Sequence, residues 1–450
     1  MTPLARREYR QKPTPQGEQS TLHTVLARLT IVRDHFNIWW SALHALRTDA
    51  VLYGLSAVFA LGLATTSREA AQWHWGYLAA LPYALAAIGA YLLSRRLSRR
   101  VSLIRVMLLA LVVLSAVAIP LGLEARWRQL DHGRGFAQPE VSVIERSATF
   151  VSQGKDPYRS YLHNGRIVNQ IKGLPAYESF FPYFPLMSVF GLPSAESRKG
   201  AGLTDARIVM TLMTLLVSGL ALGLLRASRE QKIRVAQVMV ALPTGALFLA
   251  TGGDDMPILA LLLLGVAALQ RRANYVAGVS LGLAAAMKLT AWPLAAGALL
   301  VARDREDRFA WKKIVMIVGV IVVASIAPFA LHAPWAFMSN VFAFPLGLAG
   351  VQSPAASPLP GHILTSWWAP LGHVLSPVTF IVGGYFVTKY LQRHWPLSLS
   401  QLLRILSVAF SVMILTASAT RVGYAIYPLN FALWSWVCVE EPATTVLELV

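Results

Sequence analysis

The chain has 450 residues, 55% of them hydrophobic and 14% charged, with a formal net charge of +18. An ordinary soluble domain is about 45–50% apolar and about 25% charged, so this composition excludes a soluble protein and indicates a polytopic, all-α membrane protein. The basic excess does not point to nucleic acid, because Lys and Arg gather in short clusters between apolar runs, as the positive-inside rule expects.

Residues 1–48 are polar and basic, with no compact apolar region ahead of a small-residue cleavage site. No cleaved signal peptide is expected, and the first spanning helix directs insertion. Apolar runs follow near 50–66, 74–94, 103–123, 204–226, 235–251, 255–270, 275–302, 314–331, 372–390, 400–419 and 422–440. Several have the roughly 17–25 residues needed to cross a hydrocarbon core about 30 Å thick. Basic clusters mark the cytoplasmic side: Arg6, Arg7, Arg10 and Lys12, then Arg95, Arg96, Arg99 and Arg100, then Arg226, Arg229, Lys232 and Arg234. The loop 124–203 is therefore expected outside. Residues 275–302 have basic groups at both ends and would make a single helix about 42 Å long, so two short helices meeting near "MKLTAWP" are expected, with Pro293 disfavouring helix at Trp292. That gives 11–12 membrane segments and cytoplasmic termini, the C-terminal tail being 441–450. A second external loop, 332–371, is rich in Pro, Gly and aromatics, with Trp335, Phe337, Trp367 and Trp368 expected as headgroup anchors. The single cysteine, Cys438, can form neither an intramolecular disulfide nor a cysteine metal cluster.

This topology collects the unusual polar residues on the external side. Val141, Ile144, Ala148 and Val151 fall three or four apart, which predicts an amphipathic helix from Pro139 to Gly154 lying on the membrane. Glu140 occupies its first turn, where an acid commonly serves the helix dipole. Glu145 beside Arg146 reads as a solvated pair. In "TGGDDMPILALLLLG" one of Asp254 and Asp255 caps the helix that Pro257 opens, which leaves the other for function or for a divalent cation, Mg or Mn. Lys288 is an ionisable residue inside a membrane segment and so a functional candidate by default, with snorkelling to the interface as the plain alternative. A charge-bearing site predicts that Lys288→Met folds and inserts but loses activity. His332 and His362 are further external candidates, although an interface histidine is more often structural.

"QPEVSVIERSATFVSQGKDPY" followed by "FPYFPLMSVFGLP" resembles the first large external loop of polyprenyl-phosphate-sugar-dependent glycosyltransferases with the GT-C fold, particularly glycosyltransferase family 87. "GGDDMPILALLLLGVAAL" and "GVSLGLAAAMKLTAWPL" resemble that family's central helices, most closely an actinobacterial branch. The resemblance covers 103–440 as a catalytic membrane domain and leaves 49–102 as two added helices. It implies an inverting glycosyltransferase of the bacterial plasma membrane, moving a sugar such as mannose from a polyprenyl-phosphate donor to a lipid or glycan acceptor on the external face. The family's catalytic acid maps onto Glu140, fourteen residues before Gly154, where family members usually carry Asp. Lys288 would face the lipid phosphate, with Arg159 or Arg166 as alternatives. Asp254 or Asp255 would orient Lys288, bind sugar hydroxyls or hold a metal, and Tyr158 would contact substrate. A secondary transporter or lipid flippase is the competing reading, since a broken hairpin with a lysine opposite paired acids also suits carriers. A carrier would show repeated halves and polar positions deep in the 204–226 and 400–419 runs, which are almost wholly apolar.

Overall fold

The computed structural model describes residues 45–95, 101–131, 135–164, 166–197, 202–303, 309–351, 355–368 and 370–439. Arg6, Arg7, Arg10, Lys12, Arg96, Arg99, Arg100 and the tail 441–450 lie outside these residues. Each predicted apolar run is helical, because in hydrocarbon a segment must satisfy its own backbone N–H and C=O groups. In chain order the longer helices are α1 (Ala45–Thr66), α2 (Ala70–Ser94), α3 (Val101–Leu130), the loop helix α4 (Pro139–Ser152), α5 (Ala206–Leu224), α6 (Arg229–Thr251), α7 (Asp255–Gln270), α8 (Asn274–Ala285), α9 (Trp292–Arg303), α10 (Ala310–His332), α11 (Leu371–Arg393), α12 (Leu399–Thr416) and α13 (Ile426–Val437), with short helices at Leu192–Glu196, Pro334–Met338 and Pro360–Trp367. Among the described residues, strand pairing is confined to a hairpin, β1 (Tyr161–His163) with β2 (Arg166–Val168), and a bridge between Ala356 and Thr420.

Seven of the described helices, α1, α2, α3, α5, α6, α10 and α12, are long and apolar enough to cross a membrane. The helices α7, α8 and α9 are shorter. Every residue of α7 from Asp255 to Leu263 is buried, which fits a helix that is hydrophobic all round. Surrounded by protein, such a helix can end in irregular backbone short of the headgroups.

The predicted hairpin is present. Gly278 and Gly282 on α8 face Ile317 and Ile321 on α10, a constant offset that makes these two helices parallel. The intervening α9 must therefore run back the other way. The small residues let the backbones approach, as at other helix interfaces in membranes. The break falls between Ala286 and Ala291, with Lys288 fully extended at φ −150° and ψ 142°. Its cause differs from the expected one. Trp292 is helical, and Pro293 sits in the first turn of α9, where its missing N–H costs nothing.

The two ends of the bundle hold separate ion-pair clusters. At one end Arg105 donates to Asp49 at 2.5 Å and pairs with Glu230, Arg234 reaches Asp49 at 3.1 Å, and Arg271 Nε donates to the Leu224 carbonyl at 2.7 Å. The opposite end carries α4 and the Gly252–Asp254 turn, with Glu140, Glu145, Asp254 and Asp255 paired to Arg421, Arg128 and Lys288.

Fixation of α4 on the bundle corrects two expectations. Its apolar face is covered by protein, since Gly191 of the 185–191 turn lies against Glu145 Cα and the Ile144 carbonyl. Glu145 does not pair with Arg146. It binds the buried Arg128 at 2.7 Å and accepts from the Ala206 N–H at 3.1 Å, tying α4 to α3 and α5. In the second external loop Trp335, Trp367 and Trp368 are exposed as anchors would be, but Phe337 is buried against Tyr158, Phe184 and Phe342. Asn340 joins the two loops, accepting from Phe181 N–H at 2.7 Å and donating to the Ser160 carbonyl at 2.6 Å.

Candidate active site

The site begins at a turn that only glycine fits. Gly252 has φ +101°, and a Cβ there would lie 2.2 Å from Val141 Cγ2 and 2.9 Å from Arg207 Cγ. Beside it, Gln138 N–H donates to the Thr251 carbonyl at 2.9 Å and Gln138 Nε2 to Thr251 Oγ1 at 2.8 Å. The start of α4, which carries Glu140, is thereby held next to the start of α7, which carries Asp255. Gly252→Ala is expected to destabilise the protein by about 1–3 kcal/mol through overpacking alone. Thermal unfolding in lipid nanodiscs would register it, with Gly122→Ala, whose Cβ meets nothing within 4 Å, as the neutral control.

Asp254 and Asp255 are 6% and 7% exposed, and both face Lys288. The ammonium donates to Asp254 Oδ2 at 2.8 Å and to Asp255 Oδ1 at 2.5 Å. Tyr427 O–H donates to the same Asp255 oxygen at 2.6 Å, and Thr290 Oγ1 lies 2.7 Å from the Tyr427 hydroxyl. Asp254 stands at the helix N-cap position without a side-chain capping bond, so the expected division into one capping and one spare carboxylate does not hold. Both acids serve the lysine. Two of its three N–H donors are engaged, which leaves one for a ligand. The Lys288 Nζ also lies 5.5 Å from the centre of the Tyr183 ring, and Phe184 N–H donates to the Met287 carbonyl at 3.0 Å, fixing "FPYFP" against the hairpin tip.

Glu140 has a partner of its own. Arg421, between α12 and α13, donates to Glu140 Oε1 at 2.6 Å. The other oxygen, Oε2, is shielded from solvent and has no hydrogen-bond partner among the described residues. Tyr183 lies in the field of both groups: burial, then the charges of Asp254 and Glu140, pushes its phenol well above the usual range, so it remains a donor at physiological pH. Three carboxylates, two cations and the phenols of Tyr183 and Tyr427 thus share one end of the bundle.

The other predicted residues stand apart. Tyr158 is buried, and its hydroxyl donates to the Tyr183 carbonyl at 2.7 Å, so it supports the segment that carries Tyr183. Arg159 stacks over Phe150 with 5.0 Å to the ring centre, and Arg166 is exposed on β2. His332 is exposed at the end of α10, while His362 Nδ1 lies 2.8 Å from the Ser418 carbonyl, where it braces the 360–367 helix. Arg421, Tyr183 and Tyr427 were not singled out from the sequence. A lone arginine in "TASATRVGYAIYPLN", between two apolar runs and on the external side, was the available signal.

The ammonium of Lys288 occupies the space between the two carboxylates where a divalent cation would bind, and among the described residues no three His, Cys, Asp or Glu side chains converge. These residues do not fit a metal at Asp254 and Asp255.

The sequence profile of glycosyltransferase family 87 matches residues 181–419, more than half of the chain. The chain belongs to glycosyltransferase family 87. Nothing among the curated proteins matches it. Family membership makes it a membrane glycosyltransferase and removes the ground for the transporter reading. Asp254, Asp255, Lys288 and Tyr183 fall within the matched residues, whereas Glu140 precedes them and Arg421 and Tyr427 follow.

Proposed function

We propose that this glycosyltransferase moves a sugar, mannose in the first instance, from a polyprenyl-phosphate donor to a lipid or glycan acceptor at the external face of a bacterial plasma membrane, with inversion. The observation that carries this reading is Glu140, held through Oε1 by Arg421 while Oε2 has no hydrogen-bond partner among the described residues. In the displacement, Glu140 Oε2 takes the proton of the acceptor hydroxyl as that oxygen attacks the anomeric carbon. The bond from this carbon to the phosphate oxygen breaks, and its electron pair leaves with the polyprenyl phosphate. The third N–H of Lys288 would meet that phosphate as its charge grows, which is the moment at which a preorganised cation lowers the barrier. No general acid is needed, because the phosphate is already a good leaving group. Asp254, Asp255 and Tyr427 position Lys288, and no divalent cation enters the step.

Transfer from a panel of labelled polyprenyl-phosphate sugars in reconstituted vesicles tests this reading. At least one donor is expected to react, with EDTA leaving the rate unchanged, and failure of every donor with matched acceptors would overturn it. Orientation is tested separately. In a Cys438→Ala background, Arg166→Cys is expected to react with a membrane-impermeant maleimide applied to intact cells. Labelling only after permeabilisation would place the site on the opposite face.

A further inference from the structure

The stripe of α4 that begins at Glu140 continues into a second polar feature. Val143, Ser147 and Phe150 follow Glu140 at intervals of three or four residues, hence on the same face. With Arg146 they form one wall of a cavity of about 200 Å³, and Arg159, Asn169 and Glu178 contribute to the rest. Two guanidinium groups line this space, and neither forms an ion pair among the described residues. Arg146 Nη2 donates to the Glu178 backbone carbonyl at 2.6 Å, and the contact of Arg159 is the Phe150 ring. A guanidinium has five N–H donors, so most of those on Arg146 lack an acceptor among the described residues. Burial holds Arg146 below the usual guanidinium range, against the pull of Glu178, and burial likewise raises Glu178. Glu178 is the one carboxylate among the cavity's lining residues and Arg146 and Arg159 are two cations, so the space carries an excess of positive charge that an added anion would balance.

We propose that this cavity binds an anionic, monosaccharide-sized group, a phosphate or carboxylate carried by the acceptor, between Arg146 and Arg159. The volume lies below the roughly 300–1,000 Å³ of pockets for drug-sized ligands, so it takes one small unit and not a polyprenyl chain. Arg146 lies six positions along the helix from Glu140, a rise of about 9 Å, which lets adjoining units of one molecule reach both. That the bound molecule is the acceptor rests on the glycosyltransferase reading above; the anion site itself does not.

Saturation-transfer NMR on the full chain in nanodiscs, with mannose, mannose 6-phosphate and glucuronate as probes, tests the inference. At least one charged sugar is expected to bind about tenfold more tightly than mannose, as charge-assisted hydrogen bonds allow. The tighter of the two identifies the group as phosphate or carboxylate. Arg146→Gln is expected to remove most of this preference. Arg159→Gln, at an exposed position that leaves the fold undisturbed, should weaken it severalfold. Equal binding of mannose and both charged sugars, or charged-sugar affinity unchanged in Arg159→Gln and Arg146→Gln, would overturn the site. If Glu140→Gln keeps transfer while anion binding still follows the arginines, the base assignment fails and the anion site stands.

Discussion

Glu140→Gln is expected to lower kcat for sugar transfer by about 10²–10⁴-fold, the range that a positioned general base supplies. The substitution is nearly isosteric. Its amide oxygen can still accept from Arg421, so the contact that holds the side chain at 2.6 Å persists. What changes is the second oxygen: an N–H donor takes the place of Oε2, which had no partner among the described residues, and cannot receive the acceptor's proton. Donor binding should stay near wild type, because Lys288, Asp254 and Asp255 are untouched, and the loss belongs in kcat rather than in KM. Arg421→Ala should cost less, on the order of 10²-fold, by letting a carboxylate of unchanged chemistry drift from its position. Glu140→Asp, which keeps a carboxylate one methylene shorter, should retain more activity than Glu140→Gln. A fully active Glu140→Gln enzyme would show that another group takes the proton.

The limits of the sequence reading follow from which interactions are local. Apolar runs became helices because length and hydropathy act within a segment, and Lys288 stood out because a charge in an apolar run is costly wherever it lies. The partners were harder to see. Glu145 lies next to Arg146 in the chain, yet it binds Arg128, which only the packing of α4 on α3 brings near. Asp254 has the residue type and position of an N-cap, but a lysine 34 residues away competes for its carboxylate and wins. Arg421 reaches Glu140 across 281 residues, a pairing that no periodicity encodes. Phe337 shows the same limit on the apolar side, since an aromatic in a loop reads as a headgroup anchor until Tyr158 and Phe184 are found around it.

Lys288→Met is expected to destabilise the protein by about 3–5 kcal/mol, the usual cost of removing one partner from a buried ion pair. This reverses the sequence-based expectation of a folded but inactive variant, because the lysine is bound by two carboxylates that are both almost fully buried. Without the ammonium, two like charges lie side by side in a medium of low dielectric, and protonating one of them relieves only part of the cost. Neutralising the whole group separates stability from chemistry. The triple variant Asp254→Asn, Asp255→Asn, Lys288→Met keeps the shapes of the side chains and lets position 255 still accept from Tyr427. It should recover most of the lost stability, since replacing a buried ion cluster as a unit costs far less than breaking it. Sugar transfer should not recover, because no cation remains to meet the departing phosphate. Thermal unfolding and transfer assays on wild type, Lys288→Met and the triple variant make the comparison. If Lys288→Met unfolds at the wild-type temperature, the lysine is not what holds the carboxylates. If the triple variant transfers sugar normally, the phosphate is met by another group, and Arg421 would be the first to examine.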